Sequence, residues 1–290
     1  MTAVENPTDA AALVSPPRQL IVSLYGLYAR EHDGWMSVAA VVRLMADLGV
    51  DPQAARSSIS RLKRRGLLQS CRVDGAAGYA LTSEARQILA IGDARIFGRR
   101  RATRADGWLL VVFSVPESER DRRYQLRSEL TRLGFGTVAP GVWIAPGQLE
   151  AEANKALKRL DISEYTSVFR AEHVAFGDLR DNVRAWWDLE YLQALYTGFI
   201  EQYRPVRERW TSGARPDGAA AFPAYVEMVT AWRQLPYADP GLPLDLLPPD
   251  WNGVEAEELF VMLREMLAGP AAAHARAVLL PQTVGAAGAV

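Results

Sequence analysis

Apolar residues recur at three- and four-residue steps through the first part of the chain. This spacing predicts a helix over Gln19–Ala29 and a second over Val38–Leu48, which Ser37 can cap. Asp51 followed by Pro52 is typical of the start of a third helix, because Asp caps the first turn and Pro is tolerated at its first position. We therefore expect three short helices in this segment.

The third helix, Asp51–Arg65, has two chemically different faces. Ala55, Ile59 and Leu62 form an apolar stripe that must pack on a core. The other face combines guanidinium groups with small hydroxyls, which let a helix approach a phosphate backbone while Arg reaches base edges. We interpret it as a DNA recognition helix. The predicted DNA-binding residues are Gln53, Arg56, Ser57, Ser60, Arg61, Lys63, Arg64 and, in the segment that follows, Arg72.

A hairpin is predicted directly after this helix. Gly66 ends the helix, Leu67–Arg72 has the pattern of a strand, and Asp74–Gly78 has turn composition before the strand Tyr79–Thr82. Three helices followed by a two-stranded wing are the order of a winged helix-turn-helix, which we assign to residues 18–98.

Basic residues are concentrated around this segment. The chain has a net charge of -1, yet residues 51–104 contain twelve Lys or Arg against four acids, a net charge of +8. One basic region in a near-neutral chain favours a sequence-selective DNA binder over a general DNA-coating protein. The alternative, a merely solvated charge run, is the interpretation we favour for Arg99–Arg101 alone.

The composition restricts the other chemistry. With 290 residues, of which 49% are hydrophobic, two or three domains are expected. Cys71 is the single cysteine, and His32, His173 and His274 are far apart, so no metal site, catalytic residue or cofactor is predicted. Residues 1–17 are expected to be a disordered tail without signal-peptide character, and the chain is expected to be cytoplasmic.

The middle of the chain alternates strand and helix patterns. A continuous apolar run predicts a central strand, Trp108–Val115, and Ser118 with Asp121 has the capping-box spacing that opens a helix through Leu133. The remaining predicted elements are strands Gly136–Ala139 and Val142–Ala145, a helix Gln148–Leu160 and a strand Ser167–Phe176. This βαββαβ order predicts a ferredoxin-like domain over residues 106–177.

The last part of the chain returns to helical spacing. Helices are predicted from Leu179 to Tyr203, where Pro205 should end the helix, and over Phe222–Gln234 and Val254–Ala268. We assign residues 178–280 to a helical C-terminal domain. The predicted fold class is therefore multidomain α+β.

Several segments resemble the PaaX-type repressors, which control aromatic-acid degradation, notably of phenylacetate. The matching segments are Arg56–Gly66, Gly78–Thr82, Pro140–Ile144 and Leu242–Gly253, and the similarity runs from about Arg18 to Ala268. The Pro- and Trp-containing last segment is the more specific match. The resemblance implies a homodimeric repressor that an aryl-acyl-CoA, phenylacetyl-CoA in the best-known members, releases from its DNA operator. Divergent relatives answer to other effectors.

An aryl-CoA effector needs an apolar slot for its ring and cations for its phosphates. The aromatic residues near the junction of the middle and last domains are more often packing than ligand sites. If they do form a slot, the predicted ligand-binding residues are Trp143, Trp187, Tyr191 and Trp232, with Arg184 or Arg233 as phosphate partners.

Two rival functions stay open. The middle domain also resembles the ferredoxin-like CRISPR adaptation nucleases, which hold a metal with an Asp at the end of the first strand. Here the strand ends with Ser114, Val115 and Pro116, and no acid is available before Glu117, so a scaffold or dimerisation role is preferable to an enzyme. The second rival is an adaptor that uses the winged helix for protein contacts.

Overall fold

The computed structural model describes residues 15–98, 100–174, 176–213 and 217–280. Most of the predicted disordered tail, residues 1–14, lies outside this range. The chain divides into two compact units. The first comprises Met1–Ala90, Glu201–Ala231 and Glu258–Val290, and the second Ile91–Ile200 and Trp232–Glu257. These two units group residues by spatial contact, whereas the expected domains, residues 18–98, 106–177 and 178–280, are continuous segments of the sequence. The expected domain boundaries therefore stay predictions.

The first unit opens with the three predicted helices. Ser37 caps the second of them, since its hydroxyl oxygen accepts a hydrogen bond from the Ala40 amide at 3.1 Å. The first helix continues through a wider π-type turn, Tyr25–Ala29, and a 3₁₀ turn, Arg30–His32. The helices are Pro17–Leu24 (α1), Val38–Asp47 (α2) and Pro52–Arg64 (α3). A further helix, Ser83–Phe97 (α4), follows the hairpin, and its residues after Ala90 belong to the second unit.

The hairpin after α3 belongs to a three-stranded sheet. Its strands are Trp35–Ser37 (β1), Leu68–Val73 (β2) and Ala76–Leu81 (β3), in the order β1-β3-β2. The predicted five-residue turn is wrong: the turn is Asp74–Gly75 alone, because both residues adopt positive φ, 49° and 79°, and two such residues suffice to reverse the chain. Strand β1 was not predicted, since three residues carry no readable alternation.

Gly78 allows β1 to approach the hairpin. Ser37 and Cys71 lie opposite Gly78 on the two sides of β3. An added Cβ at Gly78 would lie 2.4 Å from the Met36 carbonyl oxygen and 2.5 Å from the indole ring of Trp35. Glycine is therefore required by close packing, since no positive φ is involved.

The second unit contains a four-stranded sheet of order β5-β6-β4-β7 in which every neighbouring pair is antiparallel. Leu109 and Val111 of the central strand pack with Leu126 and Leu130 of the following helix in one buried core. The predicted α+β class is confirmed. The elements, in βαββαβ order, are Trp108–Phe113 (β4), Arg120–Arg132 (α5), Gly136–Ala139 (β5), Val142–Pro146 (β6), Glu150–Arg159 (α6) and Thr166–Ala171 (β7).

Two local predictions in this unit are wrong. Strand β7 ends at Ala171 instead of Phe176; Val174 and Phe176 are 89% and 95% exposed, so their apolar side chains gain nothing from a sheet there. Ala175 lies outside the described residues. The capping box of Ser118 and Asp121 does not form, because α5 begins at Arg120 after a 3₁₀ turn and has no side-chain cap.

The remaining helices correct the predicted ends. Pro205 lies inside a helix instead of ending it. The predicted helix is interrupted earlier, at Trp187, whose backbone is extended. A proline removes one helix hydrogen bond and kinks a helix without always ending it. The last helix continues past Ala268, where buried Ala271 and Ala275 extend its packed face. The helices are Leu179–Trp186 (α7), Leu189–Thr211 (α8), Gly218–Trp232 (α9), Leu235–Ala238 (α10) and Gly253–Leu279 (α11).

Within the described ranges, no helix combines the length and apolar character needed to cross a bilayer.

Gly78→Ala should lower the free energy of unfolding by about 1–3 kcal/mol, because a Cβ there overlaps both a backbone oxygen and a fixed indole ring. Denaturant unfolding followed by tryptophan fluorescence measures the change. Gly198→Ala is the matched control: this glycine lies inside α8, and a Cβ added there would have no atom within 4 Å, so alanine should stabilise by about 0.5–1 kcal/mol. Equal stability of the Gly78→Ala variant and the wild type would contradict the packing argument.

Candidate functional site

Helix α3 is fixed at its start and along one face. The Asp51 Oδ1 atom accepts hydrogen bonds from the amides of Gln53 at 2.8 Å and Ala54 at 3.1 Å, which caps the first turn. Ile59 and Leu62 are each 2% exposed. The capped end and the buried stripe together determine which side chains of α3 point away from the core.

The predicted DNA-binding side chains all lie on the solvent side. All eight of these residues, seven on α3 and Arg72 on β2, are exposed. Arg56, Arg61, Lys63 and Arg64 form no ion pair with any other described residue. Four unpaired cations along one helix leave their charge available to an external polyanion.

Hydrogen bonds from neighbouring elements of the first unit hold the wing in place. The Tyr25 hydroxyl donates a hydrogen bond to the Tyr79 carbonyl at 3.1 Å, and burial raises the pKa of Tyr25 well above its ordinary range, so it remains a donor. The Trp35 indole N–H donates to the Cys71 carbonyl at 3.4 Å. At the tip, the Arg72 guanidinium donates to the Gly75 carbonyl at 3.2 Å. The hairpin is therefore positioned by its own unit.

Helix α2 is tied to the end of α11, which sequence reasoning did not find. The Arg43 guanidinium donates to the Val278 carbonyl at 2.7 Å, and the His274 ring Nε2 lies 2.9 Å from Asp47 Oδ2. More than 200 residues separate the partners. No periodicity or motif signals such a pair, because it depends only on where the chain returns.

The predicted effector residues do not all meet at one site. Trp143 is buried in the core of the four-stranded sheet, and Trp232 is 1% exposed, with its indole N–H donating to the Ile96 carbonyl at 3.1 Å. Arg233 is half-buried and already has an interaction within the structure. Tyr191 is 42% exposed. The assignment of these four residues to an effector stays a prediction.

Arg184 and Trp187 do lie together, in a cleft of about 570 Å³ beside the break between α7 and α8. The cleft lies in the second unit and includes Gln193 and Asp250, which sequence reasoning missed, and Trp186, which it interpreted as packing. The adjacent tryptophans Trp186 and Trp187 were the available signal. The volume is within the usual range for small-molecule sites.

Three tryptophan rings form a contact cluster at this cleft. Ring centroids lie 6.0 Å apart for Trp108 and Trp186 and 6.2 Å apart for Trp186 and Trp187, both pairs edge to face. The Trp187 indole N–H donates to the Gly134 carbonyl at 2.9 Å. A Cβ on Gly136 would lie 2.7 Å from the Trp187 ring, so this glycine makes room for it. The rings are thus fixed before any ligand arrives.

Across the described ranges, His, Cys, Asp and Glu side chains form no group of three that could hold a metal ion.

Three family models match the chain in succession. "PaaX-like protein" matches residues 16–85, "PaaX protein central Cas2-like domain" matches 101–183, and "PaaX-like protein C-terminal domain" matches 187–277. These segments cover α1–β3, the four-stranded sheet with its helices, and the helical remainder. The chain belongs to the PaaX family.

A curated relative agrees with this membership. The chain is 25% identical over 259 residues to "Transcriptional repressor PaaX" of Escherichia coli (strain K12), covering 87% of this chain and 80% of the relative. This PaaX-family chain is therefore a homologue of a transcriptional repressor. A solved structure, "Uncharacterized protein Rv0674 from Mycobacterium tuberculosis", is similar over 92% of this chain and all of that one, with a TM-score of 0.58 and 21% identity, which indicates a shared fold.

Proposed function

We propose that this PaaX-family chain is a sequence-specific DNA-binding transcriptional repressor that acts as a cytoplasmic homodimer. An aryl-acyl-CoA such as phenylacetyl-CoA releases it from its operator and so controls aromatic-acid catabolism. The observation that supports this most strongly is the exposed, unpaired cationic face of α3 in a homologue of a transcriptional repressor. Such a face binds phosphates and reads base edges.

The proposal includes two fold assignments. Helices α1–α3 with the β2–β3 hairpin constitute the winged helix-turn-helix, with α3 in the major groove and Arg72 on the wing. The β5-β6-β4-β7 sheet is the ferredoxin-like domain, and its strand order supports that assignment. We assign it a scaffold or dimerisation role.

A repressor function is preferred to the nuclease alternative. The family model describes the central segment as Cas2-like, which is a likeness in fold to the nucleases considered above and does not by itself imply nuclease activity. Strand β4 ends at Phe113, and the carboxylate of Glu117, the first acid after it, is paired with the Arg123 guanidinium at 2.7 Å. The end of this strand, where those nucleases hold their metal with an Asp, therefore has no Asp in this chain.

The effector must distinguish two states of the repressor. A hundredfold fall in operator affinity requires about 2.7 kcal/mol of coupling, and by reciprocity DNA must weaken effector binding by the same factor. The residues proposed to bind the aryl-acyl-CoA are Trp143, Arg184, Trp187, Tyr191, Trp232 and Arg233. Of these, Arg184 and Trp187 share the cleft and are the first to examine.

Arg56→Ala and Arg61→Ala should each lose about 1–3 kcal/mol of specific binding if the guanidinium contacts a base. Lys63→Ala should weaken binding evenly across sequences, because a phosphate contact carries no base information. Fluorescence anisotropy on a duplex selected from a random library measures both effects. Arg127→Ala is the control, since this exposed arginine lies on α5 in the other unit. Unchanged affinity in both Arg56→Ala and Arg61→Ala would rule out the placement.

Footprinting should show a two-fold symmetric operator. A single winged helix buries only about 600–1,000 Å² of protein surface on DNA, which is small for an operator-specific repressor, so two copies are expected. Sedimentation at micromolar protein concentration checks the oligomeric state. A monomer that protects one half-site would refute the homodimer.

Phenylacetyl-CoA should release the operator complex, whereas CoA and phenylacetate should not. The reason is that release requires both the aryl-acyl group, which favours one protein state, and the CoA moiety, and neither CoA nor phenylacetate has both. Titration of each compound against the complex separates the cases. Release by CoA alone would indicate charge competition, and retention of DNA with phenylacetyl-CoA would show that the effector is a different one.

A further inference from the structure

The cleft beside the α7–α8 break combines an aromatic wall with an acidic rim. Trp186 and Trp187 form the wall. Asp188, Glu190 and Asp250 contribute carboxylates, and Arg184 is the cation of the lining, which gives the lining a net charge of -2. This charge is opposite to the one expected for a site that holds phosphates.

We infer that this cleft selects by charge: it admits the uncharged aryl-acyl end of a thioester and rejects the free aryl carboxylate. The inference rests on the proposed aryl-acyl-CoA effector, and it adds the site and the residues that choose between thioester and acid. The phosphates of the CoA would lie outside the cleft, beyond the pantetheine arm.

The wall is prepared for an aryl ring. Trp186 is half-buried, and its ring is held edge to face by Trp108 and Trp187. Because these contacts already order the indole, a ligand ring that packs on it does not have to immobilise a mobile side chain. The cleft of about 570 Å³ has room for an aryl-acyl group.

The rim repels anions because two of its carboxylates have no ion-pair partner among the described residues. Glu190 and Asp250 form no ion pair with another described residue. Arg184 lies 3.6 Å from Asp181, so part of its charge is already compensated. A carboxylate ligand would meet this field, whereas a thioester carries no charge and would not.

Three probes of nearly equal shape test the inference on the full chain without DNA: phenylacetate, phenylacetamide and 2-phenylethylamine. Ligand-observed NMR and tryptophan fluorescence titration measure each affinity at low ionic strength. Phenylacetamide should bind in the millimolar range, ordinary for about ten non-hydrogen atoms, and phenylacetate about tenfold more weakly. Trp186→Ala should weaken all three probes, since it removes the common aromatic surface.

The Glu190→Gln/Asp250→Asn double variant identifies the field as the cause. It should bind phenylacetate about fivefold more tightly than the wild type and the amine about fivefold more weakly, while phenylacetamide is unchanged. Asp188 is left intact because its Oδ1 accepts the Tyr191 amide at 2.9 Å near the start of α8. Glu265→Gln, at an exposed glutamate of α11 outside the cleft, should change none of the affinities. Salt of about 0.5 M should collapse the differences between probes.

Any of three results overturns the inference. The first is that phenylacetate binds as tightly as phenylacetamide, the second is that the difference in affinity between these two probes is unchanged in the double variant, and the third is that no probe binds. The outcome is separable from the proposed function, because the probes are measured without DNA. Operator release by phenylacetyl-CoA with probes that ignore the rim would overturn the charge selection alone. Probes that follow the charge order, without operator release, would overturn the proposed effector alone.

Discussion

The burial of one stripe of α3 is the constraint on which the candidate DNA interface depends. Ala55, Ile59 and Leu62 are 0–2% exposed, and removing any of them from the core would cost more free energy than an exposed contact contributes. This burial determines the rotation of α3 about its axis. Because helix geometry then places Arg56 and Arg61 on the other side, the cationic face follows from core packing and needs no interaction of its own.

In the second unit, the buried guanidinium of Arg95 fixes the relative positions of several helices. It is 7% exposed and donates to the carbonyls of Pro236 at 2.9 Å and Leu133 at 2.6 Å, and its Nη1 lies 3.2 Å from a carboxylate oxygen of Glu152. A buried charge without partners is costly, so these contacts specify one arrangement of α4, α5, α6 and α10. The cleft at the α7–α8 break lies in the same unit.

The two candidate sites differ in how far residue order could predict them. The α3 face is local: its capping residue, its stripe and its cations all lie within fifteen residues, and the helical period relates them directly. The cleft is assembled from the end of α7, the start of α8 and a later segment that contains Pro248 and Asp250, some sixty residues from Trp187. Helical and strand periodicity cannot predict contacts between such distant segments. The sequence-based effector set therefore grouped Trp143 and Trp232 with Trp187 only because all three are aromatic, although the cleft contains Trp187 alone of the three.

The sequence by itself determined the helices α1–α3, the hairpin, the βαββαβ order and the face of α3, because these follow from residue spacing, capping and turn chemistry over short distances. The tertiary structure decided where local signals compete with packing. Pro205 and Pro270 lie inside helices because burial of neighbouring side chains outweighs one lost hydrogen bond, and β7 stops where no apolar surface remains to cover Val174. It also decided which distant residues share a cleft, since only chain return brings Trp187 and Asp250 together.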